Sequence, residues 1–114
     1  VLENTVVEFT CSPAEICVWL GPAIGPNAFQ VGKEVIEQFC AFDPQAELAF
    51  IADPTTSGKF LGNLYQIAQQ RLRKLGITEI SGGEHCTFTE QERFFSYRRD
   101  KQTGRMASII WRSE

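Results

Sequence analysis

Phe94-Phe95-Ser96-Tyr97-Arg98-Arg99-Asp100, followed by Thr103-Gly104-Arg105-Met106-Ala107-Ser108-Ile109-Ile110-Trp111, concentrates the groups in this sequence that can do chemistry. Arg98, Arg99, Lys101 and Arg105 gather with aromatic side chains around one turn, in a chain that is acidic overall. A guanidinium fork matches a phosphate or carboxylate with two parallel hydrogen bonds. Adjacent arginines project in different directions, so one can pair with Asp100 or a core acid while the other faces a ligand. Tyr97, Arg98, Arg99 and Arg105 are therefore candidate substrate-binding residues for a small phosphate- or carboxylate-bearing molecule. The same residues also suit an internal salt-bridge network that pins the last strand.

Other constellations are poorer in chemistry. Gly21-Pro22-Ala23-Ile24-Gly25 lacks the G-x-G-x-x-G spacing of a dinucleotide fingerprint. It reads either as a plain loop or as a backbone wall that lets a ligand approach a strand end, which makes Gly21 and Gly25 candidates for binding. His85 and Cys86 are neighbours, but adjacent residues on a strand face opposite ways and do not share a metal readily. With one histidine and no second close cysteine, no zinc site is expected within the chain. Cys86 reads as a buried small thiol rather than a nucleophile. Glu90, Glu92 and Asp100 have no spacing that pairs them as general acid and base, so they cap a helix or balance arginines. No catalytic residue is assigned.

Composition narrows the class. The chain has 114 residues, room for one domain or part of a larger one, with 43% hydrophobic and 22% charged residues, as in a globular protein. No apolar run reaches the ~18 residues of a membrane span. The charge is uneven: residues 1–57 carry one base against eight acids, and residues 58–114 carry ten bases against six acids. A pI of 5.2 disfavours nucleic acid as a partner. Cys11, Cys17, Cys40 and Cys86 form no C-x-x-C pair and read as free thiols, hence a cytoplasmic setting. Val1 is neither an initiator methionine nor part of a signal pattern, so the chain reads as processed or as a piece of a longer one.

These groups need elements to position them. Leu2, Val6, Val7 and Phe9 have near-helical spacing, like the tail of a helix whose beginning is absent. Ser12-Pro13 suits a short capped turn. Ile16–Leu20 reads as a buried strand that ends at Gly21-Pro22, and residues 28–31 as a short edge strand. A helix is predicted from Lys33 to about Phe39, then a helical turn at Asp43-Pro44 carrying Leu48 and Phe50. After a surface loop at residues 53–58, Phe60, Leu61, Leu64, Ile67, Ala68, Leu72 and Leu75 mark one face of a helix that Gly76 stops. Residues 77–80 alternate as a strand, broken by Ser81-Gly82-Gly83. Thr89-Glu90-Gln91-Glu92 is a capping box that predicts a helix to Phe94 or Phe95. After a turn at Lys101–Gly104, Met106–Trp111 reads as a strand interior to a sheet. Without regular βαβ alternation, the class is α+β, a mixed sheet with packed helices.

At this point the residues resemble a family. Trp19-Leu20-Gly21-Pro22-Ala23-Ile24-Gly25-Pro26 and Phe29-Gln30-Val31-Gly32 are similar to the middle signature of the YfiH-type, laccase-domain proteins. Cys86-Thr87-Phe88-Thr89 and Phe94 through Trp111 are similar to its C-terminal signature. The resemblance covers essentially the whole chain, in order, yet only the C-terminal half of a typical member. It implies a four-layer α/β/β/α architecture of cysteine-hydrolase-like topology. It also implies a zinc-dependent purine nucleoside phosphorylase and adenosine deaminase, formerly called polyphenol oxidase or laccase, acting on nucleoside and phosphate. Some members are instead described as editing peptidoglycan precursors. The family's zinc ligands, two histidines and a cysteine, lie in N-terminal motifs that do not occur here, so no metal role passes to His85 or Cys86. The N-terminal half becomes an expected partner, and the chain alone is expected to be inactive. The rival reading is a stand-alone small-anion-binding module.

Overall fold

The computed structural model describes residues 1–113. Its strands divide into two small sheets rather than one mixed sheet, which corrects that expectation. β1 (Cys17–Leu20) pairs in parallel with β5 (Glu79–Gly82), Val18 opposite Ile80 and Trp19 opposite Ser81. β2 (Gln30–Val31), β4 (Phe60–Gly62) and β3 (Phe50–Ala52) make an antiparallel sheet in that order. Four α-helices accompany them among the described residues: α1 (Leu2–Val6), α2 (Lys33–Phe42), α3 (Leu64–Lys74) and α4 (Tyr97–Asp100).

Each sheet has its own core. Val31, Ala49, Phe50 and Ile67 are buried together, with Val35, Ile36 and Phe39 of α2 and Phe60 of β4 packed on them. Ile16, Leu72 and Ile77 form the second cluster, joined by Leu2 and Val6 of α1 and by Val18, Leu20 and Ile80. α3 serves both, giving Ile67 to one cluster and Leu72 to the other. Tight packing of this kind makes each buried methylene count.

Local chemistry sets the boundaries. Asn63 caps α3 by accepting the Gln66 N–H at 3.0 Å. Phe60 and Leu61, expected on that helix, lie instead in β4 between β2 and β3. Their spacing continues the helical stripe, but Asn63 interrupts the backbone, and pairing on both sides satisfies the strand's polar groups. At the other end Gly76 takes φ +94, and the Ile77 N–H reaches Leu72 O at 3.1 Å, the expected stop. Asp43 accepts the Gln45 N–H at 3.1 Å and opens a 3-10 helix over Pro44–Ala49. Phe50, expected on that turn, begins β3. Lys74 sits 3.2 Å from the Asp43 carboxylate. α2 runs past Phe39 to Phe42 because Pro44 only then blocks it.

Other expectations also need correction. β1 is not buried on both faces: Val18 and Leu20 turn inward, whereas Cys17 and Trp19 are exposed. β5 runs through Ser81 and Gly82, and the break falls at Gly83, with Gly82 and Gly83 both at positive φ. Residues 87–89 and 91–93 form turns and no helix follows Thr89, whose hydroxyl turns to the Cys86 sulfur instead of capping, while the neighbouring Glu90 carboxylate accepts the Cys86 N–H at 2.7 Å. Met106–Trp111 forms no strand, and Ile109, Ile110 and Trp111 face solvent. An extended segment becomes a strand only with a neighbour to share its hydrogen bonds, and none of the described strands pairs with it. No described helix is long and apolar enough to cross a membrane.

Two substitutions test this account by chemical denaturation. Asn63→Ala should lower the unfolding free energy by about 1 kcal/mol through loss of the cap. Leu72→Ala should lower it by about 3 kcal/mol through the cavity left in the second cluster.

Candidate functional site

The arginine turn is built from its cap outward. Ser96 is buried, and its Oγ accepts the Arg99 N–H at 3.3 Å, starting the single turn of α4. The turn ends at Lys101, the one non-glycine residue at positive φ (+64) among those described. The two neighbouring arginines diverge.

Arg99 turns inward. Its Nη1 donates to Thr87 O and Phe88 O, both at 2.9 Å, and its Nη2 donates to Phe94 O at 2.9 Å. Nε and Nη2 hold Asp100, the latter at 2.8 Å. A guanidinium has five N–H groups, and here they are committed within the chain. Arg98 turns outward. It gives one Nη1 bond to Gln30 O at 2.7 Å and lies over the Phe29 ring, 5.4 Å from its centre. Gln30 O is its only hydrogen-bond acceptor among the described residues, so most of its donors face the surroundings.

Tyr97 and Arg98 share a cleft of about 280 Å³ with Pro22, Ala23, Ile24 and Phe29. Tyr97 also lines a wider hollow of about 660 Å³ with Arg105, Lys101 and Phe95. Phe95 and Met106 border both, so the two spaces adjoin. Tyr97, Arg98 and Arg105 are thus brought around one surface, while Arg99 supports it from below. Within the 21–25 loop, residues 22–24 face the cleft. Gly21 lies against the Trp19 ring and Ser108, and the Gly25 N–H donates to Cys86 Sγ at 3.2 Å. A Cβ on Gly25 would sit 3.0 Å from that of Cys86, so the close approach needs glycine.

Sequence reasoning missed the fastening. Tyr65 of α3 is buried; its hydroxyl accepts the Ala23 N–H at 2.8 Å and donates to His85 O at 2.6 Å. Ala23 also pairs in parallel with Cys86, and the Thr87 N–H reaches Ala23 O at 3.0 Å. One phenol therefore ties the cleft wall to the segment that Arg99 holds. The only available signal was a tyrosine at a position where the helical stripe called for a simple apolar residue. Phe29, expected on an edge strand, and Phe95, expected at a helix end, both line the cleft.

Cys86 is half-buried rather than buried, and all four cysteines are free. Burial pushes its thiol up, but hydrogen bonds from the Thr89 hydroxyl and the N–H groups of Thr89, Gly25 and Phe88 outweigh this and lower its pKa. Glu90 is lowered too, first by the Cys86 N–H, against burial, and with help from His85. His85 Nδ1 lies 3.2 Å from Glu90 Oε1. No three His, Cys, Asp or Glu side chains among the described residues converge as a metal site requires. The residues present therefore do not fit zinc by themselves.

Four outcomes follow from this geometry. Arg99→Ala should cost roughly 2 kcal/mol of stability, since three carbonyls and Asp100 lose their donor. Arg98→Ala should stay within about 0.5 kcal/mol, since that side chain is mostly solvated. Site-resolved alkylation should show Cys86 titrating below an ordinary free thiol. Thr89→Val should move that midpoint upward.

A family model described as multi-copper polyphenol oxidoreductase laccase matches residues 1–113. A purine nucleoside phosphorylase of Haemophilus influenzae is 63% identical over 97% of this chain, which covers 46% of that protein. The Escherichia coli purine nucleoside phosphorylase YfiH is 57% identical over 97% of the chain and 44% of its own length. A Neisseria meningitidis crystal structure superposes with TM-score 0.80 at 44% identity, over 87% of this chain and 40% of that one. YfiH of Bacillus licheniformis does so with TM-score 0.74 at 31% identity, over 88% and 38%. The chain spans less than half the length of these relatives. The match of residues 1–113, the sequence identities and the shared fold together establish that the chain belongs to the laccase-domain family of YfiH-type proteins.

Proposed function

We propose that this chain is the C-terminal portion of a purine nucleoside phosphorylase, and that the cleft beside Arg98 forms part of its substrate surface. The observation that carries the reading is 63% identity to a relative named for that activity. The divergence of the two arginines supports it, because one guanidinium is left with donors for an anion. In phosphorolysis a phosphate oxygen bonds to the anomeric carbon as the glycosidic C–N bond breaks. The purine leaves with the bonding electrons and takes up a proton.

On this reading Arg98 and Arg105 bind phosphate oxygens, and a guanidinium fork suits two of them at once. Tyr97, with Phe29 and Phe95 nearby, offers aromatic faces to the base. The loop around Gly21 and Gly25 supplies the opposite wall, with residues 22–24 in contact. Arg99 is a positioning residue that holds the turn. Zinc dependence, adenosine deamination and the four-layer architecture come from the resemblance, and a cytoplasmic setting from the four free thiols. When bound, zinc would supply Lewis acidity from the other half of the enzyme, and none of the roles given to this chain's residues passes through it.

Joining this chain to the part of the Haemophilus influenzae relative that it does not cover makes a testable enzyme. It should phosphorolyse inosine or adenosine, and Arg98→Ala should lower kcat/KM for phosphate roughly 10- to 100-fold, as loss of one charge-assisted contact does. The 114-residue chain alone should turn over nothing. Turnover by that chain, or full activity of the Arg98→Ala enzyme, sinks the reading. Micromolar phosphate binding by the chain alone, abolished in Arg98→Ala, would favour the stand-alone module.

A further inference from the structure

Two buried hydroxyls lie at the closed end of the cleft beside Arg98. Thr87 keeps 9% of its surface exposed and Ser96 7%, and both line the cleft. Glu3 Oε2 is the one sealed side-chain oxygen without a partner among the described residues. The Thr87 hydroxyl, which has no partner among those residues either, is therefore open to the cleft that Thr87 lines. The Ser96 hydroxyl accepts the Arg99 N–H, which leaves its own proton to give. Buried hydroxyls are normally satisfied, so these two are poised for a partner from outside the chain.

Both are held still. The Thr87 N–H donates to Ala23 O at 3.0 Å, and the Thr87 carbonyl accepts from Arg99 at 2.9 Å. Ser96 is fixed by the backbone N–H of the same arginine. Groups locked in this way orient a ligand instead of adapting to it.

The rest of the cleft is mostly apolar, with Pro22, Ala23, Ile24 and Phe29 along it. Arg98 is the one charged residue among those described that line it, and it also borders the neighbouring hollow of Asp53 and Thr55, so it stands at the edge. Phe95, Tyr97 and Met106 are exposed and shared with the 660 Å³ hollow, and they mark the mouth. At about 280 Å³ the cleft lies at the lower end of ligand cavities, about 300–1,000 Å³. It suits one flat ring system, with the remainder of the ligand in the hollow, where Lys101 and Arg105 supply charge.

We propose that Thr87 and Ser96 are specificity-determining residues that read the six-membered edge of a purine base seated in this cleft. The ligand's identity rests on the phosphorolysis reading, and its orientation rests on the two hydroxyls. The glycosidic nitrogen must reach the sugar, and sugar and phosphate need the wider hollow, so that nitrogen faces the mouth. The opposite edge, with N1 and the 6-substituent, then meets the floor. A hydroxyl both donates and accepts. The pair gives to O6 and takes from N1–H of a 6-oxopurine, and it reverses both roles for a 6-aminopurine. An anion in the same place would use only the protons and would lie away from Lys101 and Arg105.

The test uses the joined protein described above. Thr87→Val keeps the shape of the side chain and removes its hydroxyl. It should raise KM for inosine and for adenosine roughly 5- to 10-fold, as loss of one neutral hydrogen bond does, and leave KM for phosphate unchanged. Hypoxanthine binding, followed by calorimetry, should weaken by the same factor. Thr87→Ser, which keeps the hydroxyl, should restore both. A rise in KM for phosphate, an unchanged KM for nucleoside, or a Thr87→Ser enzyme as impaired as Thr87→Val overturns the proposal. So does an active parent that binds no hypoxanthine. A joined protein that binds hypoxanthine through Thr87 but phosphorolyses nothing sinks only the enzymatic reading, and one that neither turns over nor binds the base sinks both.

Discussion

The guanidinium of Arg99 is the contact around which the candidate site is organised. It gathers the carbonyls of Thr87, Phe88 and Phe94 and the carboxylate of Asp100 at one point. Residues 87–95 have no helix or strand of their own to satisfy their backbone. A partly buried cation with five donors supplies what regular structure would otherwise provide. The path of those residues fixes where α4 begins, and therefore where Tyr97 and Arg98 point. Lysine cannot replace such a fork, because its donors radiate from one atom.

The cleft has two anchors on opposite sides. Arg99 sets the α4 side, and the Tyr65 hydroxyl sets the loop side by accepting from Ala23 and donating to His85. Because His85 and Thr87 lie in one short run, the two anchors share a segment, and the walls are held relative to each other. Cys86 sits within that run, its sulfur accepting the Gly25 N–H, so the loop is tied at both Ala23 and Gly25. A rigid frame leaves Arg98 free to meet a ligand, as binding side chains on supported loops do.

Much of this was legible in the residues. The i, i+3/i+4 stripe from Leu64 to Leu72 and the glycine at 76 define α3, because local spacing and a left-handed stop are properties of short stretches. The divergence of Arg98 and Arg99 also followed from adjacency. Phe60 and Leu61 were misplaced because a strand residue can keep helical phase with the helix that follows it. The capping box at Thr89–Glu92 misled because Cys86 draws the same stretch into other contacts: the Thr89 hydroxyl turns to its sulfur, and the neighbouring Glu90 carboxylate accepts its N–H. The role of Tyr65 was invisible because it joins Ala23 to His85, segments far apart in sequence. The pattern at Met106–Trp111 reads as strand, and its surroundings in the described residues do not supply a partner.

One helix feeding two hydrophobic clusters has a further effect. Ile67 and Leu72 stand little more than one turn apart on α3, yet each is central to a different sheet. Neither sheet is large enough to persist alone, so both depend on the same helical rod remaining intact. Melting is thereby made cooperative across the molecule. A proline at Gln69 would snap the rod between the two clusters, and the antiparallel half would then lose its helical link to the parallel half.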